Sequence, residues 1–358
     1  MAPWAVYSAS MEFRLIDHLV VPAETKIDGF PFGGISGLDY DLTADRFVAI
    51  SDARGGKFGP PRYYELDIQY TSYEALGLVV VGQHLLRAEN GSSFPTATVR
   101  VDPEAIRLAP AGGLYWSSEG VVPKQGDVSQ PFIRKMAADG GYLRAIPHPE
   151  IYNYAPSQNE GGRSNGLFEA LALSAEGEIL VVANETPLVQ DGPPPTLDHG
   201  GVVRVSRLAA LDGALQGQYA YQVPPIPVDR GPGKAARYKG NGLAELLAVG
   251  GGKFLALERS FVLGVGNTIR LVLTSFEGAE DIGGRPSLAG IEIRPMPREV
   301  ILELPPEFDG IRMDNMEALS WGRRLRNGSR TLVMAADNNF NALGEQQNLF
   351  LIFEVVEQ

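Results

Sequence analysis

The sequence predicts an all-β protein, a β-propeller of four-stranded antiparallel blades, and three observations carry that expectation. A short apolar hairpin pattern recurs five times at a near-constant step. Glycine and proline, 42 and 26 residues, are spread over the whole chain as turn punctuation rather than pooled in a tail. One strand is missing from the last repeat, and a candidate for it lies at the opposite end of the chain.

The hairpins are 35–52, 103–119, 168–185, 244–259 and 316–337, for example "FEALALSAEGEILVVANE" from Phe168 to Glu185. Aligned on their opening polar residues, Ser36, Glu104, Glu169, Glu245 and Glu317, they step by 68, 65, 76 and 72 residues. That period is too long for a helical repeat and suits four strands with loops. Two more strand-like segments follow each of the first four hairpins: "RYYELDI" and "ALGLVVVGQHLL", "PFIRKMAA" and "GYLRAIPH", "GVVRVSRL" and "QYAYQVPPI", "TIRLVLTSF" and "REVILELP". The fifth is followed by "NLFLIFEVVE" alone, so "FRLIDHLVVP", Phe13 to Pro22, is expected to complete the last blade and close the ring. Radial repetition of this kind protects sheet edges. The count gives five blades, with six if a divergent one hides in a loop, and 1–358 reads as one domain because no linker or composition shift divides it.

Composition narrows the function. The chain has 358 residues, 43 acidic and 31 basic, a net charge of −12 and a pI near 4.9. Such a field disfavours nucleic acid and anionic membranes. No apolar run approaches the length of a bilayer span, and "MAPWAVYSAS" shows no signal peptide. The absence of cysteine removes disulfides, thiolate zinc sites and cysteine nucleophiles.

In an antiparallel hairpin the first and last residues share one edge. The openers listed above and the closers Asp52, Glu119, Glu185, Glu258 with Arg259, and Asp337 are therefore expected to face one end of the central channel. Crowded carboxylates raise one another's pKa or recruit cations. Oxygen ligands without Cys or nearby His favour Ca²⁺, with Mg²⁺ second. Asp314, Glu317, Asp337 and Asn338, around "DNMEA" and "ADNNFN", are the leading ligand candidates, joined by Glu104. Glu169, Asp52 and Glu119 are the candidate catalytic carboxylates, and the alternative for any one of these acids is a brace between neighbouring blades. Arg54, Arg62, Arg259, Asn165, Glu185 and Glu245 are assigned to substrate binding. Two further loops stand out: the basic stretch Val228–Gly242, with Arg230, Lys234, Arg237 and Lys239, as an anion grip or a solvated loop, and the Pro-rich excursion after Glu185 as a lid or an insertion. "GRSNG" fits a serine-hydrolase pattern, but a strand rather than a helix is expected after it, so no nucleophile elbow is assigned.

The motifs "GGISGLDYD…RFVAISDARG…RYYELDI", "NGLFEALALSAEGEILVVANE", "GLAELLAVGGGKFLALERSF" and "DNMEALSWG…TLVMAADNNF…QNLFLIFEV" resemble the phytase-like family described as having the esterase-like activity of phytase. The resemblance runs from about Gly33 to the C-terminus. It implies a propeller, export from the cytoplasm, and hydrolysis of phosphate or carboxylic esters. The expectation is a monomeric, Ca²⁺-dependent hydrolase of a small-molecule ester. The alternative is a non-enzymatic propeller that binds a ligand or protein at the same funnel, with structural calcium.

Overall fold

Five four-stranded antiparallel sheets form the ring in the computed structural model, which describes residues 11–357 other than 55, 96–98, 158, 229–238 and 343. From the channel outward, blade 1 comprises Ile35–Asp41, Arg46–Ser51, Arg62–Tyr70 and Ala75–Leu85. Blade 2 comprises Pro103–Leu108, Leu114–Ser118, Phe132–Met136 and Tyr142–Ile146. Blade 3 is built from Ala170–Leu173, Ile179–Ala183, Gly201–Ala209 and Leu215–Val223. Blade 4 is built from Lys239–Gly250, Lys253–Val262, Gly266–Ser275 and Glu299–Leu304. Blade 5 takes Met316–Gly322, Arg330–Ala336 and Asn348–Glu357 from the end of the chain. Its outer strand is Met11–Val21, which pairs with Asn348–Glu357 from Met11↔Glu357 to Val21↔Asn348. The count is five, and the ring closes with strands from the two ends of the chain, as the repeats predict.

The inner strands are close to fully buried because neighbouring blades cover both of their faces. Phe350 and Ile352 of blade 5 and Ile35, Leu38, Phe47 and Leu66 of blade 1 share one core, all at 0% exposure. Burying such side chains contributes roughly 1.5–3 kcal/mol each. Near the axis the backbones approach so closely that side chains must shrink. A Cβ on Gly37 would lie 2.8 Å from the Ala105 Cα, the Glu104 carbonyl oxygen and the Ile106 nitrogen.

Two small hairpins, Lys26–Ile27 with Phe30–Pro31 and Glu307–Phe308 with Ile311–Arg312, precede the inner strands of blades 1 and 5. Each turns at Asp-Gly with positive φ (Asp28 49°, Gly29 85°; Asp309 52°, Gly310 75°), the geometry a two-residue hairpin prefers.

The Pro-rich excursion after Glu185, expected as a lid or an insertion, is fastened down. Its Asp191 is buried and accepts from Arg204 Nε at 2.6 Å and Nη2 at 2.8 Å, and from the Leu288 N–H at 3.0 Å. Of the basic loop, Arg230, Lys234 and Arg237 lie outside the described residues.

Candidate functional site

The hairpin register decides which acids reach the mouth of the channel. In blades 1, 2 and 5 the inner pair breaks register at its opening residue: between Ile35 and Gly37, between Pro103 and Ile106, and between Met316 and Ala318. The displaced residues are Ser36, Glu104 with Ala105, and Glu317. A bulge re-aims the side chain it carries. Glu169 directly precedes its strand, and Asp52, Glu119, Glu185 and Asp337 follow theirs.

Eight carboxyl groups gather there: Asp52, Asp102, Glu104, Glu119, Glu169, Glu185, Glu317 and Asp337. Their mutual repulsion is visible in the proton affinities. Burial, then Glu169, Asp52, Asp102 and Glu119, hold the Glu104 carboxyl well above the usual range. Burial, then Glu185, Glu317 and Glu119, do the same for Glu169, against the pull of Arg259. Asp102 is raised by burial and by a hydrogen bond shared with Asp52. Asp337 is raised by burial, Glu317 and Asp52. Glu119 is pushed up to about 8 by burial although the Gly166 and Leu167 N–H groups donate to it at 2.8 and 3.3 Å. Glu317 is pushed up to about 7 by burial.

Two guanidiniums answer this charge. Arg259 Nη2 lies 2.7 Å from Glu185 Oε1 and 3.3 Å from Glu317 Oε1. Arg54, held at φ 48° with its N–H on Asp52 Oδ1 at 2.5 Å, donates to Asn339 Oδ1 and lowers the charge cost at Asp102 and Asp337. Asn339, Phe340 and Asn341 all have positive φ, and Phe340 stacks on Phe58 at 4.5 Å. This strap joins blade 5 to the loop that carries Arg54.

Oxygens of Asp102, Glu104 and Glu119 lie within 4.8 Å of one another, close enough for one cation. Asp102 was missed in the sequence, where "VDPEA" places it two residues ahead of Glu104 just as "DNMEA" places Asn315 ahead of Glu317. The donor set fits a hard cation, being carboxylate oxygen throughout.

Other residues singled out in the sequence sit elsewhere. Glu245 lies deeper. In blade 4 the register break falls at Ala244, so Glu245 stays in the ladder opposite Leu257. It meets Arg107 of blade 2 at 2.7 Å and accepts from the Leu171 N–H of blade 3 at 3.0 Å. Arg107 in turn donates to the carbonyls of Leu38 in blade 1 at 2.7 Å and Leu246 in blade 4 at 3.0 Å. This buried pair ties four blades together below the acid ring. Burial pushes Glu245 up to about 7 even so. Glu258, expected at the mouth, turns away and binds Arg298 at 2.6 Å and the Tyr221 hydroxyl at 2.6 Å.

Asn338 Oδ1 accepts from the Gly34 N–H at 3.1 Å, joining blade 5 to blade 1. Asp314 accepts from the Asn315 and Gln347 N–H groups, both at 2.9 Å, and faces Arg312 at 3.4 Å. Arg62 spends its donors on the Pro31, Phe58 and Pro60 carbonyls and the Tyr64 hydroxyl. Asn165 is exposed on the loop before Glu169, in a left-handed turn at φ 60°.

No curated protein matches the sequence. Among solved structures, an α-L-arabinofuranosidase from Lactobacillus brevis is similar at 9% identity over 90% of each chain, with a TM-score of 0.47. A GH43_1 enzyme from Xanthomonas citri complexed with xylose is similar at 12% identity over 95% of this chain and 89% of that one, with a TM-score of 0.46. The soluble aldose sugar dehydrogenase from Escherichia coli is similar at 9% identity over 98% of this chain and all of that one (100%), with a TM-score of 0.37. The family model that describes phytase-like proteins, with the esterase-like activity of phytase, matches residues 30–340, and the chain belongs to that family.

Proposed function

We propose that this propeller is a Ca²⁺-dependent hydrolase of small phosphate or carboxylic esters, acting at the acid-ringed mouth. The observation that carries the reading is the ring itself: eight buried or half-buried carboxyls with two guanidiniums on the edge that the inner hairpins share, apart from the buried Arg107–Glu245 pair. Family membership supports a hydrolytic chemistry, and an exported, monomeric protein belongs to the same proposal. Among the described residues no helix is long and apolar enough to cross a membrane.

Asp102, Glu104 and Glu119 would hold the cation, with Glu317 and Asp337 as further acids of the ring. Bound Ca²⁺ supplies Lewis-acid polarisation of the ester oxygen and a lowered pKa for water. Glu169 takes the proton of the attacking water. Burial and its carboxylate neighbours raise its proton affinity, which strengthens it as a base. Asp52, hydrogen-bonded to Asp102, fixes that carboxyl's orientation. Arg259 and Arg54 face the developing negative oxygen, each already aligned by its own partners.

The test is hydrolysis of phytate, p-nitrophenyl phosphate and short acyl esters with Ca²⁺ and with chelator. Turnover of at least one ester is expected with Ca²⁺ only, falling at least 100-fold in Glu169→Gln and in Glu104→Gln. Unchanged turnover in both variants, or no ester cleaved at all, overturns the proposal.

A further inference from the structure

Blade 1 contributes a closing acid to the mouth, Asp52, but no opening one. Blades 2 to 5 open their inner hairpins on Glu104, Glu169, Glu245 and Glu317, whereas blade 1 opens on the buried Ser36. The wall on that side is aromatic. Phe340 sits on the rung where the Asp52 N–H donates to the Gly34 carbonyl at 2.7 Å. Only glycine allows this approach: at φ 65°, a Cβ on Gly34 would meet the Asp52 carbonyl oxygen and lie 2.7 Å from Phe340 Cε2. Phe58 stacks on Phe340 with centroids 4.5 Å and planes 16° apart. Both phenyl rings are half-buried, and the exposed Lys57 lies over Phe58 with its Nζ at 5.0 Å.

The stack is held at a conformational cost. Asn339, Phe340 and Asn341 have φ of 45°, 48° and 58°, a region that bulky side chains seldom adopt. Neither phenyl ring belongs to the cores packed between the blades, so burial there does not account for the placement. Strain of this kind persists where the surroundings fix it, and it clusters at ligand sites. Chemistry separates this wall from the rest of the mouth. An apolar group laid against the carboxyls strips them of water, whereas against Phe58 and Phe340 it buries apolar area.

We propose that the Phe58–Phe340 stack is a specificity subsite of the mouth and takes an aromatic group carried by the ester. A third ring extends such a pair by offset or edge contact and displaces only the solvated Lys57 chain. The inference rests on the hydrolase reading above and is separable from it by experiment. Ethyl butanoate and ethyl 4-phenylbutanoate share a carbonyl environment and differ by a terminal phenyl group, as butyl and 4-phenylbutyl phosphate do. For whichever ester type is cleaved, kcat/KM is expected to be about tenfold higher for the phenyl member. Phe58→Leu and Phe340→Asn should each bring that ratio close to one. Asparagine tolerates the left-handed backbone at position 340, and a ratio measured on one variant cancels general damage to the site. A wild-type ratio near one, or a ratio unchanged in both variants, overturns the inference while leaving a hydrolase in place.

Binding gives a readout that needs no turnover. In saturation-transfer NMR the phenyl protons of 4-phenylbutan-1-ol are expected to receive saturation from the wild-type protein and to lose most of it in both variants. Silence with the wild-type protein, or equal transfer in both variants, overturns the inference. If no ester is cleaved, the hydrolase reading falls and this measurement alone decides the subsite.

Discussion

Replacing Arg107 by methionine is expected to destabilise the ring by an amount that depends on pH. The side chain is 3% exposed, pairs with Glu245 at 2.7 Å and donates to carbonyls of blades 1, 2 and 4. Methionine keeps most of the apolar bulk and removes every donor. At pH 5 Glu245 is neutral in both proteins, because its carboxyl is already pushed up to about 7 beside Arg107 and loses that support in the variant. The cost there is that of carbonyls left without donors, about 2 kcal/mol. At pH 8 the wild-type pair is ionised. The variant must then bury an unpaired charge or hold a proton against the solvent, as breaking a buried pair does, at roughly 3–5 kcal/mol. A folded-state pKa raised above the unfolded value stabilises below the unfolded pKa and is lost as pH rises through the folded one. The variant, with the higher folded pKa, therefore loses more stability at pH 8. Urea denaturation of both proteins at the two pH values measures this. Arg107→Met combined with Glu245→Gln should recover more than half of the pH 8 loss. An equal loss at both pH values, or one under about 1 kcal/mol at pH 8, would refute the claim that an ion pair holds these blades.

Two further outcomes follow from the same geometry. With divalent cations removed, stability should fall as pH rises from about 5 to 8, because Glu119 and Glu317, pushed up to about 8 and about 7, bind protons in the fold that the unfolded chain has released. Each contributes on the order of 3 kcal/mol across that window, and saturating Ca²⁺ should flatten the slope in thermal melts; a flat profile without cation would mean the ring is not the crowded cluster described. Gly37→Ala should cost about 2 kcal/mol, since its Cβ would meet three atoms of blade 2, two of them backbone polar atoms; an unchanged urea midpoint would show that the inner strands can separate freely.

The period, the strand count and the ring closure could be read from the chain because each depends on local alternation and on a repeat that every blade must satisfy separately. The edge carrying the acids was legible for the same reason: a hairpin's ends share a side wherever the hairpin is placed. Which acids become ligands, bases or braces depended on register and on partners far away in sequence. One residue's difference in the bulge of blade 4 sends Glu245 down to Arg107, which lies 138 positions earlier in the chain. Glu258 turns to Arg298 because a fourth strand's loop brings that guanidinium to it. Asp102 meets Glu104 and Glu119 inside blade 2, where the Glu119 N–H donates to the Asp102 carbonyl at 3.1 Å, but it stands outside the aligned hairpin positions and its spacing in the sequence carried little weight alone. Sequence periodicity determined the ring and the edge where charge collects; long-range pairing of buried charges, which has no local signature, decided what each carboxylate is free to do.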